Sequence, residues 1–517
     1  MKSEVDKKAQ SKRIAKNTLF LYFRMIFLML VTLYTSRVIL DALGVEDYGI
    51  YNVVGGFVSM FALISAALTS ACSRFLNYEM GKGNLDRQNV VFSTAVTIQW
   101  GLAIVIAVLA ELVGVWYVNN VMVLPNDRLF AANWCFQFSV FNFCMNLITV
   151  PYKASIVAHE KMKEFAYVSI FQGLANLLVS FLIYYDPFDR LIFYAFMLLL
   201  IQFSVRMMYQ IYCRNHFEEC RFHRVFDKPL FMHMMNYSLW HLVGNGASVL
   251  KGHGVNLVLN LFFGPSVNAA RGVASQVDAA VGQFAGNFMM AMNPQITQSY
   301  AKGDLKYMFT LIEKGSRFSF YLLLVLALPI VINADFILNL WLKQTPEYSV
   351  VFVRLSLLAM LITTLSRTLI TAQNATGNVR NYQLVVGGVQ LFNLPLSYLA
   401  LSMGMSPASV VIVAIVIEII ALFARVYMIP QTIKEFQPLL FFKHVIFPCF
   451  SLFMVASSLP YVIHCYFQQD SIMGFLMQVF ICFIYTVLLV WYMGCTSGER
   501  AMLISKMLML KKKALKR

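Results

Sequence analysis

The feature that most constrains this chain is a series of fourteen apolar stretches, each long enough to cross a lipid bilayer as a helix. A helix needs about 20 mainly apolar residues to span the hydrocarbon core. Only 13% of the 517 residues are charged and 59% are hydrophobic, whereas about 25% charged residues is usual in soluble domains. The sequence therefore predicts an all-α integral membrane protein and excludes a large water-soluble enzyme or a disordered chain. The stretches lie at 17–40, 49–79, 90–118, 128–150, 165–185, 190–213, 234–262, 271–300, 308–333, 349–373, 382–403, 406–430, 439–463 and 472–495.

The basic residues predict how these helices are oriented. The net charge is +16, and Lys and Arg are concentrated in both tails and in alternate gaps between the stretches. Basic residues accumulate on the cytoplasmic side of membrane proteins, so both termini are predicted to be cytoplasmic. The same placement accounts for the net charge without a nucleic-acid partner. The opposite gaps hold only Arg128, Arg190, Arg271 and Lys343.

The gaps between the stretches are too short to fold a separate catalytic domain, because they average about a dozen residues. The sequence also lacks a phosphate-binding loop, a Gly-x-Ser-x-Gly elbow and a His-Glu-x-x-His pair. We therefore expect no enzymatic activity and no cofactor. A membrane-bound glycan polymerase or ligase is a disfavoured alternative, since it would need a long outer loop.

An internal repeat predicts two similar lobes. The segment 80–85 reads Met-Gly-Lys-Gly-Asn-Leu, and 220 residues later 300–305 reads Tyr-Ala-Lys-Gly-Asp-Leu, while Gly44 matches Gly264 at the same offset. Six stretches separate the matched elements, so both lobes have the same orientation in the membrane. Parallel repeats of this kind form transporters, although a duplication kept only for packing is the alternative. The predicted domains are a basic tail 1–16, an N-lobe 17–213, a cytoplasmic linker 214–233, a C-lobe 234–430, two further helices 431–495 and an amphipathic basic tail 496–517.

Three short segments resemble a known transporter family. Asn17-Thr18-Leu19, the segment 43–51 (Leu-Gly-Val-Glu-Asp-Tyr-Gly-Ile-Tyr) and the segment 75–83 (Phe-Leu-Asn-Tyr-Glu-Met-Gly-Lys-Gly) resemble the Wzx-type polysaccharide and O-antigen flippases. These flippases form the polysaccharide transporter branch of the MATE-like multidrug/oligosaccharidyl-lipid/polysaccharide (MOP) exporter superfamily. The resemblance implies a V-shaped pair of six-helix lobes with two extra C-terminal helices, and alternating access.

The same resemblance implies a cargo and a location. The cargo would be an undecaprenyl-pyrophosphate-linked oligosaccharide, a repeat unit of O-antigen (and so of lipopolysaccharide), capsule or exopolysaccharide, crossing the bacterial inner membrane. The expected partners are this lipid-linked oligosaccharide, membrane lipids and the polysaccharide polymerase machinery. Two alternatives within transport remain: an ion-coupled multidrug exporter of the same superfamily and a flippase for the peptidoglycan precursor.

Charged residues inside the stretches are the candidate site, since each costs at least about 2.5 kcal/mol at bilayer depth unless it faces protein or water. Cations would bind the pyrophosphate, and the resemblance implies a first-span arginine, which is Arg24. Snorkelling to the interface is the alternative for the cations, and a packed core position is the alternative for His253. Arg206 and Arg425 add to the basic character of the deep charges, which disfavours a drug exporter. The predicted cavity residues are Arg24, Arg37, Arg74, Lys251, His253 and Arg367.

Two acids are candidates for coupling transport to Na⁺ or H⁺. Glu418 lies at the centre of an apolar run and Asp278 in the eighth stretch. A buried carboxylate exchanges a proton or binds a cation. A structural ion pair with Arg425, two helical turns away, is the alternative for Glu418.

Glycines in the seventh stretch are predicted to form a hinge, because glycine weakens a helix by about 1 kcal/mol. Close packing through small residues is the alternative. These glycines are Gly244, Gly246, Gly252 and Gly254.

One further pattern, Cys213-x-x-His216-x-x-x-Cys220-x-x-His223, has a spacing at which four side chains share a helical face. Such a face could hold zinc, but we expect coincidence and predict no metal site.

Overall fold

The computed structural model describes residues 2–59, 61–120, 126–185, 189–223, 227–249, 254–342, 345–466 and 472–501, apart from some side chains within the first, second, eighth, ninth and seventeenth helices. These residues form helices and, within these ranges, no strand. The principal helices are α1 (Lys2–Ser59), α2 (Ala62–Lys82), α3 (Leu85–Leu109), α4 (Val115–Asn120), α5 (Leu129–Ala158), α6 (Met162–Leu182), α7 (Arg190–His216), α8 (Lys228–Val249), α9 (Val255–Ala301), α10 (Leu305–Ile332), α11 (Ala334–Trp341), α12 (Ser349–Thr376), α13 (Arg380–Leu391), α14 (Asn393–Ser402), α15 (Ser409–Met428), α16 (Pro438–Phe441), α17 (Phe447–Tyr466) and α18 (Ile472–Leu489).

Within the described ranges, ten helical stretches are long and apolar enough to cross a membrane. They correspond to ten of the fourteen predicted spans, from the third to the sixth and from the ninth to the fourteenth. The other four predicted spans, 17–40, 49–79, 234–262 and 271–300, fall on helices α1, α2, α8 and α9. The number fourteen therefore remains a prediction, whereas the all-helical membrane fold is confirmed.

The chain divides into two compact units. Unit 1 contains Met1–Gly246, Met290–Asp304 and Gly377–Arg380, and unit 2 contains the rest. These units differ from the predicted lobes, whose boundaries stay a prediction.

The end of α9 belongs to unit 1 because polar side chains attach it there. Gln295 donates from Nε2 to the Glu160 carboxylate at 3.2 Å, and Gln298 donates from Nε2 to the Ala158 carbonyl at 2.9 Å. Gly81 lies so close to this segment that an added Cβ would be 2.6 Å from the Cβ of Ala301. Only glycine at position 81 permits this approach.

The sequence repeat at an offset of 220 is also a repeat of local structure. Gly83 and Gly303 both have φ +74° and both lie just before a new helix, α3 or α10. This left-handed conformation costs glycine little, and it lets the terminal N–H groups close the preceding helix. Asn84 then accepts a hydrogen bond from the Arg87 N–H as the N-cap of α3. Matching glycines therefore produce matching turns.

Proline interrupts the eleventh predicted span. The described helix breaks at Phe392, between α13 and α14, three residues before Pro395. Proline has no N–H to donate to the carbonyl four residues earlier, which here is that of Leu391. The break between α13 and α14 therefore has a local cause in Pro395.

Candidate functional site

Two cations of unit 1 approach the phenol ring of Tyr209, and a third lies one turn before Tyr209 on the same helix. They are Arg24 on α1, Lys153 on α5 and Arg206 on α7, and together they form the basic cluster. Tyr209 is 2% exposed, so the ring lies in the interior of the unit. The cluster therefore brings positive charge into unit 1, and two of its members lie on α5 and α7, which are long and apolar enough to span a membrane.

Arg24 reaches the α6 side of this ring. Its Nη1 lies 3.4 Å from the Ser169 hydroxyl oxygen, and its guanidinium carbon lies 4.9 Å from the centre of the Phe165 ring. Ser169 is also within hydrogen-bonding reach of the Tyr209 hydroxyl. The predicted first-span arginine is therefore held by a hydroxyl and an aromatic face inside unit 1.

Lys153 approaches Tyr209 from α5. Its Nζ lies 5.8 Å from the centre of the Tyr209 ring and donates to the Asn146 side-chain oxygen at 3.0 Å. The predicted fourth span ends at residue 150, so Lys153 lies outside it. The helix instead continues through Pro151 to Ala158. Neighbouring helices allow a proline inside a membrane helix, so α5 continues past the end of the apolar stretch.

Arg206 lies one turn before Tyr209 on α7, with its guanidinium carbon 5.6 Å from the centre of the Trp100 ring. One turn earlier on α7, the Gln202 side-chain oxygen accepts a hydrogen bond from Gln172 Nε2 at 3.2 Å. No carboxylate of the described residues forms an ion pair with Lys153 or Arg206. Their charges are therefore held by rings and amides, which leaves the cluster with a net positive field.

Arg74, another predicted cavity residue, has surroundings different from those of Arg24. It is 8% exposed, and its guanidinium carbon lies 4.4 Å, 4.8 Å and 5.9 Å from the centres of the Phe75, Tyr78 and Tyr237 rings. A Cβ added to Gly377 would lie 2.4 Å from its Nη2. The guanidinium thus fills an aromatic cage against a glycine turn and is apart from the Tyr209 ring that organises the basic cluster.

In unit 2, Glu418 and Arg425 form a buried ion pair. The distance from Arg425 Nη1 to the Glu418 carboxylate is 3.5 Å, and the same nitrogen lies 3.1 Å from the Ser366 hydroxyl oxygen. Both charged residues are 3% exposed. The structural pair that the sequence left as an alternative is therefore present, and a role of Glu418 in ion coupling stays a prediction.

The other predicted residues of unit 2 lie on α9 and α12. Asp278 is within hydrogen-bonding reach of Ser356, and its Oδ1 is buried with no hydrogen-bond partner among the described residues. Arg271 lies two turns earlier on the same helix and interacts electrostatically with Asp278. Arg367 approaches Gly286, with its Nη1 4.0 Å from an added Cβ. Asp278 thus has a buried carboxylate oxygen that receives no hydrogen bond from the described residues.

Part of the seventh predicted span lies outside the described residues. This concerns Lys251, Gly252 and His253, and the side-chain surroundings of Arg37 and Gly244 are not described either. Gly254 packs tightly, because an added Cβ would lie 3.1 Å from Leu394, whereas at Gly246 no atom of the described residues lies within 4 Å of an added Cβ. Gly254 therefore has the close-packing contact that was the alternative to a hinge.

The Cys/His pattern begins in the last turns of α7, and its two cysteines lie within hydrogen-bonding reach of each other. The Cys213 thiol also lies 3.5 Å from the Tyr152 carbonyl, the His216 ring contacts the Tyr212 carbonyl at 2.9 Å, and His223 Nδ1 lies 3.0 Å from the Asn89 side-chain oxygen. Within the described ranges there is no group of three potential metal ligands. The two histidines thus have partners outside the pattern.

The basic cluster has the chemistry of an anion site. A guanidinium offers a planar fork of donors that matches phosphate oxygens, and an ammonium adds a mobile point charge. In the low-polarity interior such charges attract an anion more strongly than they would in water. The spacing of Arg206 and Tyr209, which lie on one helical face, was the signal in the sequence for this cluster. Lys153 was missed because the predicted fourth span ends at residue 150.

No family model and no curated protein matches this sequence. Solved structures do match its fold. A multidrug resistance MATE family transporter of the MOP superfamily in an outward-facing conformation has a TM-score of 0.71 at 11% identity, covering 83% of this chain and 97% of that one. The MATE transporter ClbM in complex with Rb⁺ has a TM-score of 0.69 at 15% identity, covering 83% and 96%.

A third solved structure is a MOP superfamily transporter from Pyrococcus furiosus, whose binding pocket is described as having reverse polarity. Its TM-score is 0.67 at 12% identity, and the match covers 81% of this chain and 96% of that one. These identities establish a shared fold. The chain therefore has a MATE-like fold over about four fifths of its length, as the sequence resemblance implied.

Proposed function

We propose that this protein is a membrane transporter that flips undecaprenyl-pyrophosphate-linked oligosaccharide units across the bacterial inner membrane by alternating access. The observation that carries the proposal is the basic cluster, in which Arg24 and Lys153 approach Tyr209 and Arg206 lies one turn away on α7. A charge in such a place is costly and is retained where it serves a substrate path. The MATE-like fold supports a transporter, and the cationic interior favours an anionic headgroup.

In this proposal the basic cluster receives the pyrophosphate. The Arg24 guanidinium and the Lys153 ammonium approach Tyr209 from two helices, so both can reach one diphosphate. Each would exchange a weak contact with an aromatic ring for a charge-assisted hydrogen bond. The other proposed cavity residues are Arg37, Arg74, Lys251, His253 and Arg367. Both termini are proposed to be cytoplasmic, and the polymerase machinery that uses the exported glycan is the proposed protein partner.

The test is translocation of a fluorescent prenyl-pyrophosphate disaccharide in vesicles containing the purified protein. We expect Lys153→Ala to slow translocation at least about tenfold, since it removes a charge-assisted hydrogen bond to phosphate. Lys163→Ala is the matched control, because Lys163 lies 5.3 Å from the Tyr167 ring in the same lysine–tyrosine arrangement but is exposed. Equal rates for the two variants would refute the assignment of the pyrophosphate to the basic cluster.

A cation-coupled multidrug exporter is the second candidate. It is favoured by the fold shared with a multidrug resistance MATE transporter and by the Asp278 oxygen that has no hydrogen-bond partner among the described residues. The two candidates differ in the charge of the cargo. Efflux of a cationic dye from the same vesicles, without translocation of the pyrophosphate lipid, would establish the exporter. Translocation of a peptidoglycan precursor in preference to other lipid-linked saccharides would establish the precursor flippase.

A further inference from the structure

An open cavity of about 570 Å³ lies at one end of α4 and α5 in unit 1. The distribution of basic residues predicts that this end faces the outside of the cell. The volume is in the range of small-molecule sites, about 300–1,000 Å³. The lining residues are Asn119, Leu129, Phe130, Asn133, Trp134 and Gln137.

Two amides in this lining are fixed by each other. Asn119 and Asn133 exchange hydrogen bonds from Nδ2 to Oδ1 at 3.1 Å in both directions. Each Nδ2 also donates to a carbonyl of its own helix, to Val115 at 2.8 Å and to Leu129 at 2.9 Å. Both N–H bonds of each amide are therefore used, and each side-chain oxygen keeps one lone pair for a ligand.

A second pair adds further acceptors. Gln137 donates from Nε2 to Glu111 Oε2 at 3.0 Å. In the part of the chain that the structure describes, nothing donates to the Gln137 side-chain oxygen or to the other Glu111 oxygen. Such a set of acceptors suits a ligand with several hydroxyl groups and repels phosphate or carboxylate. Arg128, which lies between these helices in sequence, is already bound by Asp47 and Asp189.

An aromatic surface lies beside the acceptors. Trp134 is 44% exposed, and its ring lies 6.4 Å from Phe130 and 5.5 Å from Phe138, centre to centre. Packing between these rings fixes the indole while one part of it stays open. An exposed aromatic face binds the C–H face of a pyranose ring, while neighbouring acceptors bind its hydroxyl groups.

We propose that this cavity binds a neutral pyranose ring through Trp134 and the surrounding amides. The proposal rests on the proposed function, since an exported glycan would supply such a ligand on this side of the membrane. Two sources share this chemistry, namely the sugar of a lipid-linked oligosaccharide and a free saccharide. The competing explanation is that the aromatic side chains anchor the helices at the membrane interface and bind no ligand.

Binding is tested with free sugars on the full chain in lipid nanodiscs, with its six tryptophans replaced by 5-fluorotryptophan. We expect hexoses, N-acetylhexosamines and their disaccharides to shift the fluorine resonance of Trp134 saturably, with a Kd on the order of 1 mM. Asn133→Leu should weaken binding at least about tenfold. Trp134→Leu should abolish it.

The matched control is Trp116→Leu, because Trp116 is an exposed indole at the same end that does not line the cavity. It should retain binding. An interfacial anchor predicts that the two tryptophan variants behave alike. The proposal is overturned if no sugar in the panel gives a saturable shift at concentrations up to about 50 mM.

A second arm separates the two sources and the two proposals. Vesicles receive a prenyl-pyrophosphate with or without its disaccharide, and Trp134→Leu is compared with the unaltered protein. Slower translocation of the glycosylated lipid alone identifies the lipid-linked sugar as the ligand. Sugar binding without translocation of either lipid supports the cavity with a free saccharide and refutes the flippase, whereas translocation without sugar binding supports the flippase and refutes the cavity.

Discussion

At the scale of single residues, the surroundings of a charge in this protein decide its role more than its depth does. Arg24 and Arg74 both lie within apolar stretches, yet Arg24 approaches Tyr209 whereas Arg74 fills a cage of three rings. Depth can be read from the sequence because it follows from position in a span. The partners of a charged side chain cannot be read from the sequence when they lie on a distant helix. Ser169, for example, is more than a hundred residues from Arg24.

The buried pair in unit 2 allows a prediction about stability. Glu418→Leu leaves the Arg425 guanidinium buried without its carboxylate, which typically costs about 3–5 kcal/mol. Replacing both residues by leucine removes the uncompensated charge and should cost much less. Thermal unfolding of the detergent-solubilised variants checks this order of Tm values. A double variant no more stable than the single one would show that the pair is not the energetic unit.

A second pair, outside the spans, predicts a dependence on pH. Glu219 is buried, which opposes its charged form, but the bond from His159 and a backbone N–H outweigh burial and hold the pKa of Glu219 below its usual value. A lowered carboxyl pKa stabilises the fold above the unfolded value of about 4.3, and that contribution is lost as the pH falls through the folded pKa. His159→Gln should therefore lower Tm at neutral pH, and the difference from the unaltered protein should shrink below about pH 4. A constant difference across this range would contradict the pairing.

At the scale of helices and turns, glycine and proline explain both what the sequence predicted and what it missed. The repeated Gly83 and Gly303 gave correct turns because a positive φ is a local requirement. The break beside Pro395 has the same kind of local cause. Pro151 does not end α5, because the surrounding helices support the helix beyond it. Local rules therefore predicted the turns, and tertiary packing decided where α5 ends.

The turn at Gly377 gives a prediction with a control elsewhere in the chain. Gly377 and Gly404 have φ of +76° and +78°, so alanine at either position costs about 1–2 kcal/mol of backbone strain. Only at Gly377 would the added methyl also meet a side chain, the caged Arg74 guanidinium, whereas Gly404 has open space around it. Gly377→Ala should therefore lower Tm more than Gly404→Ala does. Adding Arg74→Ala to Gly377→Ala should reduce the loss that the methyl itself causes, measured against Arg74→Ala alone.

At the scale of the whole molecule, the fold was predictable where the chemistry was not. Apolar length alone gives the helices, and the repeat indicates a duplicated transporter, in agreement with the MATE-like fold. The cargo depends on a few polar contacts, such as Lys153 with Tyr209 and Asn119 with Asn133, which a fold does not specify. Orientation connects these two levels, because the cavity at Trp134 can meet an exported glycan only from the outside.

Orientation is therefore the last prediction, and cysteine labelling in intact cells checks it. Asn120, near the Trp134 cavity, and Lys302, between α9 and α10, are both exposed, and the excess of basic residues on one side predicts that they face opposite sides of the membrane. The eight native cysteines that the structure describes are buried, so a Cys465→Ser background should label weakly. In that background, Asn120→Cys should react with an impermeant maleimide from outside, and Lys302→Cys only after permeabilisation. The reverse pattern would place the cavity in the cytoplasm, where a sugar bound there would be cargo waiting for transport and not cargo being released.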